Sequence, residues 1–388
     1  MHKINLTSGN KLDMLECGAE FFPALMNAIN SARSEIHLET YIFAIDLTGM
    51  AVMAALIEAA RRGVLVRVVA DWLGSGRATS SRLRHEFQAG GVEFRSFNPW
   101  FRRGVARTHR KLCVVDREIA FIGGINLNDD LFSDDYACSP LPAPRWDFAV
   151  RVEGPLVAVM QRETELQWAR LGTIALRARW KRFKNAKTRL MPHSDVPMLA
   201  GLVVRDNLRN RRTIQRAYLV ALAGAKKSAV LANPYFAPGR KLRDALARAA
   251  RRGVEVTLLI GVGQFRIQDA VAHSFYPKLL KSGVKVVEYH KTQLHAKVAV
   301  VDNSWATVGS SNCDGLSLFV NQEANIVVRD AQFSRILRAS IERGIADGIP
   351  VDPDAFSHVR WYQRYWYGAA YFFYQGVLRI ITLGKYTE

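Results

Sequence analysis

Hydrophobic and polar residues change period along this chain in the same order twice. "GMAVMAALIEAARR" (Gly49 to Arg62) and "RKLRDALARAARR" (Arg240 to Arg252) place apolar residues at three- and four-residue spacing, the period of a half-buried helix. Upstream of each lies a run rich in β-branched and apolar residues that ends near a tyrosine, "EIHLETYIF" (Glu35 to Phe43) and "SAVLANPYF" (Ser228 to Phe236). Downstream come "GGVEFRSF" and "SGVKVVEY", and then a pair of valine-rich runs. Each half therefore predicts strand, helix, strand, helix, strand and a final strand pair, which is the order of a mixed α/β sheet flanked by helices.

The likeness of the halves extends to individual residues. "AARRGVLVRVV" (Ala59 to Val69) is echoed by "AARRGVEVTLL" (Ala249 to Leu259), and such self-similarity marks a duplication. We expect a first half over residues 1–172 and a second over 201–350. A basic linker, 173–200, lies between them, and an aromatic C-terminal segment, 351–388, follows. The stretch Arg170 to Arg189 carries eight basic residues and no acid.

The duplicated strand pairs carry a polar pattern with no mismatch in spacing. "HRKLCVVDREIAFIGGIN" holds His109, Lys111, Asp116, Gly123 and Asn126; "HAKVAVVDNSWATVGSSN" holds His295, Lys297, Asp302, Gly309 and Asn312. A chance match to one such set in this length has a probability on the order of 10⁻⁴. Residues two apart on a strand share a face, so each histidine and lysine emerge side by side. Asp116 and Asp302 have the opposite parity and sit where the apolar run breaks, so a turn-bracing role is expected of them.

Imidazoles suit both proton transfer and nucleophilic attack at neutral pH. Two lysines and two amides directed at one point match a phosphoryl group, whose transition state spreads negative charge over its oxygens. The motifs are not surrounded by the carboxylate clusters that hold magnesium or zinc, so phosphoryl transfer with no metal and no cofactor is expected. A histidine acting in this way needs an acceptor on its other ring nitrogen. Asp147 in "RWDFAVRVEGP" and Glu323 in "VNQEANIVV" are the candidates. His37, on "EIHLETY", is a further residue that could line the site.

Composition narrows the partners. The 388 residues are 49% hydrophobic and carry a net charge of +19, which points to anionic partners. Four scattered cysteines make neither a disulfide framework nor a zinc knuckle. The N-terminus has no apolar leader, and no run is long enough to span a bilayer.

With these motifs the chain resembles the phospholipase D superfamily, and within it the cardiolipin synthases of bacteria that lack N-terminal transmembrane helices. The segments that carry the likeness are "LETYIF", "AARRGV", the first motif and "GSSNCDGLSLFVNQEA". The resemblance implies two duplicated α/β sandwich halves about a pseudo-twofold axis, with a single active site at their seam. It implies a catalytic set of His109, Lys111, Asp116, His295, Lys297 and Asp302. Asn126, Asn312 and Ser310 would bind substrate, and Asp147 and Glu323 would orient the histidines. One histidine, His109 by family habit, would attack the phosphorus of phosphatidylglycerol to give a phosphohistidine. The other would protonate the leaving alkoxide and deprotonate the acceptor. Two positions depart from the family pattern: Gly124 stands where the second copy has Ser310, and Leu316 replaces an arginine.

The superfamily also holds phospholipases and nucleases, and the C-terminus discriminates among them. "WYQRYWYGAAYFFYQGVLRIITLGKY" (Trp361 to Tyr386) carries ten aromatics, with 14 uncharged residues between Arg364 and Arg379. It is too short to span a membrane and suited to lie in its interface. We therefore expect a peripheral phosphatidyltransferase on the anionic cytoplasmic face of a bacterial inner membrane. Phosphatidylglycerol is the expected donor, phosphatidylethanolamine an alternative acceptor, and nucleic acid a disfavoured partner.

Overall fold

The computed structural model describes residues 4–134, 138–172, 198–206 and 210–381. The expected linker and the last seven residues of the C-terminal segment lie almost wholly outside the described residues.

By contacts the chain divides into two compact units, one formed by residues 1–129 and 149–202 and the other by 130–148 and 203–388. The expected halves were continuous in sequence, whereas these units exchange a short segment: residues 130–148 follow the first motif yet group with the second unit.

In the first unit the elements run β1 (Lys11–Glu16), α1 (Cys17–Ser31), β2 (Glu35–Thr40), α2 (Leu47–Arg61), β3 (Leu65–Asp71), α3 (Arg77–Ala89) and β4 (Glu93–Phe97). They continue as β5 (Arg102–Val105), β6 (Leu112–Val115), β7 (Ile119–Gly123), β8 (Phe148–Glu153) and α4 (Pro155–Leu171). Seven strands form one mixed sheet in the order β1-β8-β7-β6-β2-β3-β4. β2 pairs parallel with β3 and antiparallel with β6, which places the motif strand in the sheet's interior.

The second unit starts within β9 (Leu199–Arg205) and continues with α5 (Thr213–Gly224), β10 (Ser228–Asn233), β11 (Phe236–Ala237), α6 (Arg240–Arg251) and β12 (Glu255–Gly261). Then follow α7 (Arg266–His273), α8 (Tyr276–Lys281), β13 (Lys285–Tyr289), β14 (Val298–Val301) and β15 (Trp305–Gly309). It closes with β16 (Cys313–Asp314), α9 (Gly315–Phe319), β17 (Glu323–Arg329), α10 (Ala331–Ala346), β18 (Ile349–Pro350), α11 (Pro353–Ser357) and α12 (Trp361–Ile381). Its eight-stranded sheet runs β18-β13-β12-β10-β14-β15-β17-β9, with β10 again parallel to one neighbour and antiparallel to the motif strand.

The repeated "AARRGV" is a helix stop. α2 buries Val52, Ala55, Leu56 and Ala59 at helical spacing and ends at Gly63 with φ 90°. α6 buries Leu242, Leu246 and Ala249 and ends at Gly253 with φ 88°. Each glycine takes the left-handed conformation that turns the chain out of the helix. The next residue, Val64 or Val254, then donates back to the carbonyl of Ala59 or Ala249 at 3.1 Å. Among the described residues no helix is long and apolar enough to cross a membrane.

Candidate active site

The two copies of the motif are built alike, on hairpins β6-β7 and β14-β15. At the first turn Asp116 and Arg117 both have positive φ (52° and 61°); at the second Asp302 and Asn303 do (52° and 50°). This is the two-residue geometry whose twist matches a hairpin, and aspartate and asparagine tolerate it better than most residues.

The Asp116 carboxylate accepts the backbone N–H groups of Arg33, Ser34 and Glu35 at 2.8 to 2.9 Å, and the Ser34 hydroxyl at 2.8 Å. Asp302 accepts those of Lys226, Lys227 and Ser228 at 2.7 to 2.9 Å. Burial works to raise each carboxyl, but these donors prevail and hold both below the usual carboxylate range. The aspartates thus tie the motif hairpin to the start of β2 or β10. They lie at the opposite end of the motif strand from the histidine.

In the first unit His109 and Lys111 lead into β6 and are 8% and 5% exposed. Both sit on Tyr41: the His109 ring is 4.8 Å from the Tyr41 ring between centroids, and the Lys111 ammonium lies 5.3 Å from it. Lys111 Nζ donates to the His109 carbonyl at 2.9 Å. The backbone just before His109 is fixed by Asp71, whose carboxylate accepts the Thr108 N–H at 2.8 Å and also those of Leu73 and Gly74. Burial pushes Asp71 up to about 6 despite these bonds. Asn126 is buried, and its Nδ2 has no hydrogen-bond partner among the described residues. Behind the motif Arg110 and Glu39 form a buried ion pair at 3.0 Å. His37 is buried and pairs with Glu35 at 3.2 Å.

In the second unit the exchanged segment meets the motif. Trp146 N–H donates to the Gln293 carbonyl and His295 N–H to the Trp146 carbonyl, each at 2.9 Å. These two backbone bonds set Asp147 beside His295, and Asp147 Oδ2 lies 2.5 Å from His295 Nδ1. Lys297, fully buried, donates to the His295 carbonyl and stands 3.8 Å from the same Asp147 oxygen. Burial is the main force on Lys297 and lowers it to about 8, although Asp147, Asp134 and Glu323 favour its charge.

Asp134 was not singled out in the sequence. Its Oδ2 lies 3.4 Å from His295 Nε2, so the imidazole is bracketed by two carboxylates. Burial pushes Asp134 up, but the charges of His295 and Arg145 and a bond from Gln293 bring it well below the usual range. A sequence signal was present: Asp129, Asp130 and Asp134 cluster in a chain that is otherwise strongly basic.

Ser310 Oγ donates to Glu323 Oε2 at 2.5 Å and accepts the Ala324 N–H at 3.0 Å. Gly124 offers no such hydroxyl in the first copy. Asn312 is buried, and its Oδ1 has no hydrogen-bond partner among the described residues. Each unit therefore holds one histidine, one lysine and one buried asparagine amide in the same order.

A family model described as "Cardiolipin synthase, PLD-like domain" matches residues 25–138 and 218–345. Cardiolipin synthase B of Escherichia coli K12 is 41% identical over 352 residues, 89% of this chain and 82% of that protein. A probable cardiolipin synthase of Bacillus subtilis is 30% identical over 363 residues, 91% of this chain and 69% of that one. Among solved structures, the phosphatidylserine synthase of Haemophilus influenzae Rd KW20 shares the fold. The match has a TM-score of 0.70 and 14% identity, and covers 98% of this chain and 96% of that one. The duplicated motif, the two mixed sheets and these matches lead to one assignment: the chain belongs to the phospholipase D-like family of the cardiolipin synthases.

Proposed function

We propose that this protein is a cardiolipin synthase-type phosphatidyltransferase, moving a phosphatidyl group from phosphatidylglycerol to the hydroxyl of a second phospholipid. The observation that carries the reading is the doubled set: His109, Lys111 and Asn126 in one unit, and His295, Lys297 and Asn312 in the other. The relatives named cardiolipin synthase supply the reaction class.

In this reading both motifs take part in the reaction. His109 attacks the phosphorus, forming an N–P bond as the P–O bond to glycerol breaks, and His295 gives its proton to the departing alkoxide. His295 then takes the proton of the acceptor hydroxyl, whose oxygen bonds to phosphorus as the N–P bond breaks. Charge balance on the phosphoryl oxygens comes from Lys111 and Lys297, with amide donors from Asn126 and Asn312. Asp147 holds the His295 tautomer, and Glu323, steadied by Ser310, is the second carboxylate of the orienting pair.

The exposed face of α12 supports a peripheral position on the membrane. On α12 the residues Trp361, Tyr365, Phe372, Phe373 and Ile380 are 63% or more exposed. Aromatic side chains at the headgroup level and basic residues beside them suit an anionic cytoplasmic leaflet.

Substitution tests the reading. His109→Ala and His295→Ala should each abolish transfer from phosphatidylglycerol vesicles, whereas substantial turnover in both variants overturns the two-histidine mechanism.

A further inference from the structure

Within the second unit a groove of about 840 Å³ runs between α6, α8, α11 and α12, and none of the motif residues lines it. Its floor is apolar and aromatic. The Phe275 and Tyr371 rings meet edge to face at 5.4 Å, and Phe356 stacks on Tyr367 with an interplanar angle of 9°. Pro277, Leu280 and Pro353 extend that surface.

The same groove carries four cations, Arg243, Lys278, Lys281 and Arg364. The Arg243 guanidinium lies 4.3 Å from the centre of the Phe275 ring. Along this wall Asp244 lies 3.0 Å from Lys278, and Glu288 lies 2.8 Å from His273. Lys281 and Arg364 on the same groove are both exposed. An apolar floor with a cationic rim is complementary to an amphiphile with an anionic head.

The position of the groove favours a lipid over a soluble anion. One wall is α12 itself, through Arg364, Tyr367, Gly368 and Tyr371. Tyr367, Tyr371, Tyr374 and Leu378 turn one face of that helix toward the unit, while Tyr365, Phe372 and Phe373 stand on another face in solvent. A helix lying in the interface by that exposed face brings the groove to headgroup depth.

We propose that this groove binds one anionic phospholipid of the bilayer as a non-reacting anchor. Its phosphate lies against Lys281 and Arg364, and its acyl chain lies over Phe275, Phe356 and Tyr371. The inference rests on the reading of α12 as a membrane-interface helix.

The test uses the full chain on vesicles doped with phosphatidylglycerol that carries a photoactivatable acyl group, with cross-linked peptides located by mass spectrometry. Cross-links are expected within 273–281 and 353–371. They should fall on the order of tenfold in the double variant Lys281→Glu, Arg364→Glu, while transfer from phosphatidylglycerol in neutral detergent micelles is unchanged. Three results overturn the proposal: cross-links only elsewhere, an undiminished yield in the charge variant, or an equal yield from a phosphatidylcholine probe. Lipid products are measured in the same samples. Transfer without groove cross-links sinks this inference alone, and groove cross-links without transfer sink the proposed function alone.

Discussion

Asp147 Oδ2 lies 2.5 Å from His295 Nδ1, although 148 residues of sequence separate them. The carboxylate comes from the stretch that follows the first motif, and the imidazole belongs to the second. Asp147→Asn keeps the size of the side chain but removes the charge that holds the tautomer. We expect kcat to fall by about 10²- to 10⁴-fold with KM and melting temperature nearly unchanged. A fall in stability with activity per folded molecule retained would show that Asp147 is structural only.

Lys297 supplies the pH dependence. Burial lowers its ammonium to about 8, so an activity that needs its charge should fall as pH rises through that value. Stability should move the other way between about 8 and the ordinary lysine range. There the unfolded chain still binds the proton that the folded chain has released. Lys297→Arg stays charged and should carry the alkaline limb to higher pH; a limb that does not move assigns it to another group.

Asp116 is expected to act on stability. Asp116→Ala removes an acceptor from three backbone amides and leaves a non-glycine residue at φ 52° without its local bonds. A loss of about 2 kcal/mol, read by denaturant unfolding, is expected. Asp116→Asn, which tolerates that backbone, should lose less. Since this carboxyl is held below its ordinary range, its contribution is present above the unfolded pKa and is lost as pH falls through the folded one. Abolished activity at unchanged stability in both variants would give Asp116 a chemical role.

The exposed face of α12 makes the membrane prediction. Tyr365→Glu with Phe373→Glu puts two charges where the side chains are 75% and 63% exposed, so the fold should be unaffected. Flotation with anionic vesicles should drop several-fold. Equal flotation of this variant and the parent would remove α12 from the membrane contact.

Much of this architecture was legible because it is written locally. Gly63 and Gly253 end their helices where "AARRGV" stops. The motif hairpins turn where the apolar run breaks at Asp116 and Asp302, and the order of elements in both sheets follows the change of hydrophobic period. What escaped is what depends on tertiary pairing. No local period says that residues 130–148 join the second unit, because the bonds responsible are the backbone bridges from Trp146 to Gln293 and His295. Asp134 carried only the signal of an acid cluster, and its approach to His295 Nε2 is set by that same segment. The groove between α8 and α12 likewise needs helices distant in sequence to meet.

Mass spectrometry of the lipids formed from phosphatidylglycerol vesicles by the purified protein decides whether it transfers a phosphatidyl group. Cardiolipin and free glycerol are expected in equal amounts, with formation lost in His109→Ala and His295→Ala. Phosphatidic acid as the only lipid product would make water the acceptor and contradict transfer. Untouched lipid beside degraded single-stranded DNA would contradict the lipid assignment altogether.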